Sequence, residues 1–434
     1  MPYEPNAKPP VNLRWAPHDP IEIAAMVRRL AETTGGCISI MLNTVRRVQE
    51  VAEAFRNDPF WQTDFVNDPN SILIPGSIIV LHSRFTQRTR ASREQVITRS
   101  MGKAAVERRE RPYLVVVISS QIAEQSLDID FDFMITDLAP IDLLLQRMGR
   151  EFRFWMTDRP IGCDVPTLWI IRPDGMEDTS LPASFDEYET IYDRWTLLRS
   201  QLVVNDRITD GTPIVAPDDI STLTDLVYDE DISEREFLSG MAHVSHRPHW
   251  EHELDEARKK WVNVRTKHGL MAEMSMVDFV EDPRQLLEAF SAIEDDQKAC
   301  TRIVGRSVII VLLHRINGKL YTHSGGEKPV NIDDIDDPMT RSMIVRSSFR
   351  IVEKSGYRDV VDFLMGPEKG IGIDDKVPLL PESWKSDYVL RNYRLVELTD
   401  GSFDMASKGG PPVTVTWDPF IGFASYDRRK GRRI

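Results

Sequence analysis

Short, almost purely apolar runs punctuate the first third of the chain: Cys37–Leu42, Ser77–Leu81, Leu114–Ile118, Phe133–Ile135 and Thr167–Ile171. Each is flanked by polar loops and by stretches of helical periodicity. Asp19 as N-cap and Pro20 at the first helical position predict a helix over Ile21–Thr33, stopped by Gly35-Gly36. Asn43-Thr44 opens a second helix that runs to about Asn57. Arg88–Lys103 is a third, and Ile141–Gln146 begins a fourth that ends in Gln146-Arg147-Met148-Gly149-Arg150-Glu151-Phe152-Arg153. Buried strands alternating with helices predict an α/β fold, a parallel sheet covered by helices on both faces. Residues 1–18 read as an extended lead-in, and the sheet domain ends near Asp174. Ligands of such sheets bind at the carboxyl ends of the strands. Asn43-Thr44, His82–Phe85, Ser119–Asp132 and the arginine-bearing helix end are expected to converge there.

After residue 174 the texture changes. Phe185–Val203 reads as a helix with Tyr188, Ile191, Tyr192, Trp195 and Leu198 on one apolar face, a stripe that belongs to a core. Arg207–Asp218 reads as a connector, followed by helices over Ser221–Tyr228 and Trp250–His268. Beyond Val304 the pattern predicts strands over Ser307–Leu313, Val389–Leu398 and Val413–Trp417, with a helix over Met339–Val352. The expected division is a sheet domain over 1–174, a helical linker over 175–303 and a small α+β module over 304–434.

The chain has 434 residues and a net charge of −14. Residues 1–160 hold 20 basic and 20 acidic side chains, so the whole excess falls later, 34 basic against 48 acidic. A general basic coat for nucleic acid is excluded. Arg84–Arg111 carries nine basic residues against three acidic, the one stretch able to present a local footprint for a polyanion. Three scattered cysteines suggest neither a disulfide framework nor a zinc knuckle. No apolar run approaches the roughly 18 residues of a membrane span, and the N-terminus lacks a signal core. A cytoplasmic setting without a membrane partner is expected.

Most catalytic patterns are absent. His243, His246, His249 and His252 lie at helical spacing, but Pro248 interrupts them and no acidic or thiol partner has ligand spacing, so they are read as a connector and no metal site is assigned. There is no G-x-S-x-G elbow, no G-x-x-x-x-G-K-[ST] loop and no G-x-G-x-x-G after a strand. What remains is the loop Ser119–Asp132 followed within twenty residues by Gln146, Arg147, Arg150 and Arg153. Guanidinium forks match phosphate oxygens bidentately, and hydroxyls at a strand end can bind phosphate.

This combination resembles the second RecA-like lobe of superfamily 2 helicases, and among them the CRISPR-associated helicase–nucleases of type I, Cascade-linked interference systems. That family has a run close to A-T-Q-V-x-E-Q-S-L-D-I-D-F-D, then D-L-A-P-I-D-L-L-L-Q-R-x-G-R. Ser119–Asp132 and Asp137–Arg150 repeat it nearly word for word, and Met41–Arg47 and His82–Phe85 resemble two further family motifs. The resemblance implies ATP as cofactor, shared with a first lobe that also holds Mg²⁺ and lies outside this sequence, on another chain or lost. It implies that Gln146, Arg150 and Arg153 face the nucleotide, the two arginines as fingers on the γ-phosphate, with Asp128, Arg147 and Gly149 helping to place ATP. Arginine fingers are worth roughly 10³–10⁵ in rate in other systems. Asn43, Thr44, His82, Ser83, Arg84, Ser120 and Gln121 would line a single-stranded DNA track, with Ser120 keeping the hydroxyl of the family's threonine. Phe152-Arg153-Phe154 departs from the family's His-Arg-His. A surveillance complex of the Cascade type is an implied partner. The expectation is a helicase half, incompetent alone, in antiviral defence; the alternative is a non-catalytic DNA- or protein-binding module derived from such a lobe.

Overall fold

The computed structural model describes residues 9–62, 69–121, 128–154, 157–185, 188–262, 307–322, 328–352, 358–365, 380–405, 413–427 and 432–433. Six strands, β1 (Asn12–Ala16), β2 (Gly36–Leu42), β3 (Ser77–Leu81), β4 (Leu114–Ser120), β5 (Phe133–Asp137) and β6 (Thr167–Ile171), form one sheet in the order β1-β6-β5-β2-β4-β3. Every pairing is parallel. Alternation along β4 shows why both faces are covered. Val115 and Val117 enter one core, and Val116 and Ile118 enter the other. Helices α1 (Pro20–Thr33) and α2 (Val45–Arg56) cover the second core. The first lies under α3 (Gln87–Met101), α5 (Ile141–Met148) and α6 (Arg194–Asp210). A short α4 (Lys103–Arg108) follows α3 after Gly102.

The parallel sheet and its helices follow the sequence reading, with local differences. The lead-in contains β1, held beside β6 from Asn12↔Thr167 to Ala16↔Ile171. The helix expected from Phe185 starts only at Arg194, where Asp193 accepts from the Thr196 N–H at 2.8 Å, and it runs to Asp210. The apolar stripe still serves the core through Tyr188, Trp195 and Leu198. α7 (Asp218–Tyr228), α8 (Glu234–Gly240) and α9 (247–262) pack on the same side, so one apolar cluster runs from the sheet to Ala257. Positions 263–268 of the expected Trp250–His268 helix lie outside the described residues.

In the C-terminal part β7 (Ser307–Ile316) pairs antiparallel with β8 (Lys319–Thr322) and β9 (Ser348–Val352), and parallel with β10 (Tyr393–Glu397). The helix expected over Met339–Val352 is instead α10 (Pro338–Arg346) followed by β9. The reason is local: Phe349 and Ile351 are buried while Arg350 between them is exposed, a period of two that a helix cannot serve. Two further helices, α11 (Arg358–Met365) and α12 (Glu382–Lys385), complete this part. A second antiparallel sheet holds β11 (Ser402–Met405), β12 (Val413–Asp418), β13 (Gly422–Asp427) and β14 (Arg432–Arg433).

The turn between β12 and β13 joins this last sheet to the first. Phe420 and Ile421 enter the core shared with α1 and α2. Gln49 donates to the carbonyls of Ile421 and Phe423, both at 2.8 Å. Arg93, fully buried, donates to the Val80 and Pro419 carbonyls, each at 2.6 Å. Arg56 forks onto Asp418 at 2.9 and 2.6 Å. Gly422 has φ +74°, and a Cβ there would stand 2.9 Å from both the Arg84 carbonyl oxygen and His82 Cε1. Gly422→Ala is therefore expected to cost about 2–4 kcal/mol through backbone strain and overlap. Urea unfolding checks this, and an unchanged midpoint would mean that the turn is not seated as described.

Candidate nucleotide and DNA site

α5 begins where Ser200 Oγ accepts the Ile141 N–H at 2.9 Å, and it stops at Met148. The three arginines therefore do not share a helical face. Arg147 turns inward, while Arg150 and Arg153 sit beyond the helix on a turn that includes Phe152 at φ +49°. Gly149 closes that turn tightly, since a Cβ there would stand 2.9 Å from the Gln146 carbonyl oxygen. Gln146 itself is exposed on the last helical turn.

Arg147 has no exposed surface. Its Nη1 donates to Thr136 Oγ1 at 2.7 Å and to Asn43 Oδ1 and the Asp137 carbonyl at 3.2 Å. Its Nη2 donates to Asn43 Oδ1 and to the Tyr192 hydroxyl, both at 3.2 Å. Tyr192 also accepts from Gln121 Nε2 at 2.5 Å. The Asn43 N–H donates to Asp137 Oδ2 at 2.8 Å and its Nδ2 to the Leu138 carbonyl at 2.7 Å. One guanidinium thus ties the carboxyl ends of β2 and β5 to the segment before α6, and Tyr192 brings in Gln121 after β4. Burial first, and the Asp137 charge second, push the neighbouring Tyr188 hydroxyl well above its usual pKa.

At the other end of the sheet the chain leaves α5 beside the start of β5. The Phe131 N–H donates to the Arg150 carbonyl and the Phe152 N–H to the Phe131 carbonyl, both at 3.0 Å. The expected convergence of all the polar loops on one edge is thus corrected, because α5 runs antiparallel to β5 and delivers its C-terminus to the opposite end. There Arg150 Nη1 lies 4.0 Å from Asp128 Oδ1, and Arg153 Nε donates to the same oxygen. Burial, then the Arg153 charge, lower the Arg150 pKa, and Asp128 opposes the shift. Two guanidinium groups thus meet the carboxylate of Asp128, itself 58% exposed, and planar forks of this kind match the oxygens of a phosphate.

Beneath these arginines is a group that the sequence reading did not single out. Asp130 and Asp132 are buried and held by Arg111 and Arg159. Arg159 Nη1 donates to Asp132 Oδ1 at 2.6 Å and its Nη2 to Asp130 Oδ1 at 2.9 Å. Arg111 donates to both Asp132 oxygens at 3.1 and 3.0 Å and to the Asp130 carbonyl at 3.0 Å. Asp130 Oδ1 also accepts the Arg153 N–H at 2.6 Å, and Asp132 Oδ2 the Cys37 N–H at 2.7 Å. Alternation was the available signal: Asp128, Asp130 and Asp132 leave one face at the start of a strand, and buried carboxylates there require cations. Burial above all holds the adjacent Cys37 and Cys163 thiols up at about 12, which removes them as nucleophiles.

The residues expected along the DNA track lie at the carboxyl ends of β2, β3 and β4. Thr44, Ser83 and Gln121 are half-buried, whereas Asn43, His82, Arg84 and Ser120 are buried. Thr44 caps α2 by accepting the Arg47 N–H at 3.2 Å. His82 Nδ1 accepts the Arg84 N–H at 3.1 Å, so Nε2 carries the proton and donates to the Ile421 carbonyl at 2.9 Å. The basic stretch is largely neutralised from within. Arg90, Lys103, Arg108 and Arg109 pair with Glu94, Glu107, Glu110 and Asp158, and Arg99 donates to the Pro69 and Ser71 carbonyls. His243 pairs with Asp210 and its backbone N–H with Asp206, consistent with a connector. Among the described residues no helix is long and apolar enough to cross a membrane.

Residues 34–155 match the family described as CRISPR-associated nuclease/helicase Cas3, C-terminal. The CRISPR-associated nuclease/helicase Cas3 of Streptococcus thermophilus is 35% identical over 200 residues, 46% of this chain and 18% of that protein. The crystal structure of a CRISPR-associated protein superposes with a TM-score of 0.71 at 28% identity, covering 98% of this chain and 42% of that one. Cas3 from T. fusca, solved with AMPPNP, gives a TM-score of 0.63 over 98% of this chain and 43% of that one. At 22% identity the likeness to it concerns the fold alone. The chain spans less than half the length of each of these proteins.

The Arg147 knot generates a stability prediction. Arg147→Met strips Asn43, Thr136 and Asp137 of their donor and is expected to cost about 3–5 kcal/mol. Tyr192→Phe removes a single acceptor shared by two donors and is expected to cost about 1 kcal/mol. Chemical denaturation of the two variants should preserve that ranking, and the reverse order would show that the knot is not what ties the three strand ends.

Proposed function

We propose, from the premise that this chain corresponds to the C-terminal helicase half of the Cas3 nuclease/helicases, that it forms one wall of an ATP cleft and one side of a single-stranded DNA track. Joined to a first lobe carrying the phosphate cradle and Mg²⁺, it would couple ATP hydrolysis to DNA translocation in CRISPR defence. A surveillance complex of the Cascade type would be its targeting partner. The division at residues 174 and 303 is part of the same proposal, with the nucleotide and DNA contacts both in 1–174.

The observation that carries this reading is the meeting of Arg150 and Arg153, carried on one short turn, at the carboxylate of Asp128. Arg150 and Arg153 would bind phosphate oxygens and oppose the charge that develops on transfer. Asp128 would hold both side chains until then, Gln146 would border the same cleft, and Gly149 would let the turn close. Buried Arg147 would act on ATP only by fixing the helix that carries the others. Thr44, Ser83 and Gln121 are the track residues that reach the surface, and would position the DNA backbone by hydrogen bonds without reading bases.

The chain mixed with a separately expressed first lobe is expected to show DNA-stimulated ATPase activity. Arg150→Ala and Arg153→Ala should each lower kcat on the order of 10³-fold, the loss expected for an arginine finger. An inactive mixture, or arginine variants as fast as the parent, would sink the reading. In that case DNA affinity of the chain alone, falling steeply with salt, would favour a DNA-holding module instead.

A further inference from the structure

We infer that Arg159 and Arg111, through Asp130 and Asp132, are positioning residues that hold the Arg150–Arg153 turn in its working geometry; this rests on the nucleotide role proposed for those two arginines. Backbone bonds to Arg147, Met148 and Phe131 hold the turn as far as Phe152, and Arg153 lies just past them. The turn follows the end of α5, passes through Phe152 at φ +49°, and carries Arg153 on non-helical backbone. Asp130 stands where a helix would otherwise supply order. Its Oδ1 accepts the N–H groups of Arg153 at 2.6 Å and Phe154 at 3.3 Å, and its Oδ2 accepts the Thr157 hydroxyl at 2.8 Å.

A buried carboxylate can do this only if its oxygens are held still, and Arg159 holds them. It bridges Asp130 and Asp132, donates to the Phe131 carbonyl at 3.2 Å, and lies over the Phe152 ring at 3.7 Å from the centroid. One planar guanidinium therefore touches the start of β5 and the turn it must align. Arg111 secures the other side by holding Asp132, which the Cys37 N–H pins to β2. The side chains of Arg111, Arg159, Asp130 and Asp132 are only 9, 11, 0 and 1% exposed, and their charges sum to zero. Lysine keeps the charge but has no planar fork to span two carboxylates and stack on a ring. Arg159→Lys is therefore the variant that separates charge from alignment.

In the assembled enzyme, Arg159→Lys is expected to lower kcat for ATP hydrolysis by about 10-fold or more, with KM for ATP held within about 2-fold. Arg159→Lys should slow Arg153→Ala by less than it slows the parent, because part of what Arg159 does is exerted through Arg153. Parental kcat in Arg159→Lys beside an impaired Arg153→Ala would overturn the inference and leave the nucleotide role standing; an unimpaired Arg153→Ala would instead overturn that role. Should Arg159→Lys fail to fold, Thr157→Val removes one bond to Asp130 at almost constant volume. In the chain alone it should speed amide hydrogen exchange at Arg153 and Phe154 about 10-fold, the equivalent of one net hydrogen bond, without shifting global unfolding. Unchanged protection at those two amides would overturn the inference without reference to activity.

Discussion

Four charges withdrawn from water at the foot of β5 set the conditions for the rest of the site. Two arginines and two aspartates so buried would be untenable singly, since desolvating one ion costs several kcal/mol. Together they are neutral, and nearly every oxygen has a geometrically matched donor. Such a group contributes less to net stability than to uniqueness, because few arrangements satisfy both forks and both carboxylates at once. What it specifies is the relation between a strand start and a turn that are 23 residues apart in sequence at Asp130 and Arg153 but adjacent in space. The surface pair Arg150 and Arg153 inherits its placement from that relation.

A second polar group governs the opposite end of the sheet, and α5 spans the distance between them. Eight helical residues cover about 12 Å, enough to start beside Asp137 and finish beside Phe131. Arg147 reaches back along the helix, as side chains do, to Asn43 and Thr136. Arg150 continues forward to Asp128. Residues three apart in one motif thus serve two ends of a sheet. Any shift of α5 would disturb the strand ends that carry Asn43 and Gln121 together with the turn that carries Arg150 and Arg153.

Legibility in the sequence followed the number of partners each residue needed. Uniformly apolar runs have only one solution in a covered sheet, so β2 to β6 and their helices could be read directly. β1 could not, because an edge strand mixes Arg14 with Trp15 and depends on β6 for its identity. β9 was absorbed into a helix because α10 precedes it with only Ser347 between. Arginine spacing puts Arg147, Arg150 and Arg153 on one helix end, but spacing cannot show where a helix stops. Arg111 and Arg159 carried no motif, since their role exists only once Asp130 and Asp132 are folded inward.

The turn at Pro419–Gly422 decides what the edge proposed for DNA can offer. Its carbonyls take the donors of Gln49, His82 and Arg93, and Gly422 lies against the Arg84 backbone too closely for any side chain. Groups that would otherwise demand water are satisfied by protein, so this part of the edge is a joint between the sheet domain and the C-terminal module. The surface chemistry at the strand ends is hydroxyl and amide, from Thr44, Ser83 and Gln121, with Arg47, Arg84 and Arg93 buried. Such groups position a backbone without gripping it through charge. The proposed translocation would need that property, because each step requires release as well as contact, and a track held by unscreened arginines would resist the release.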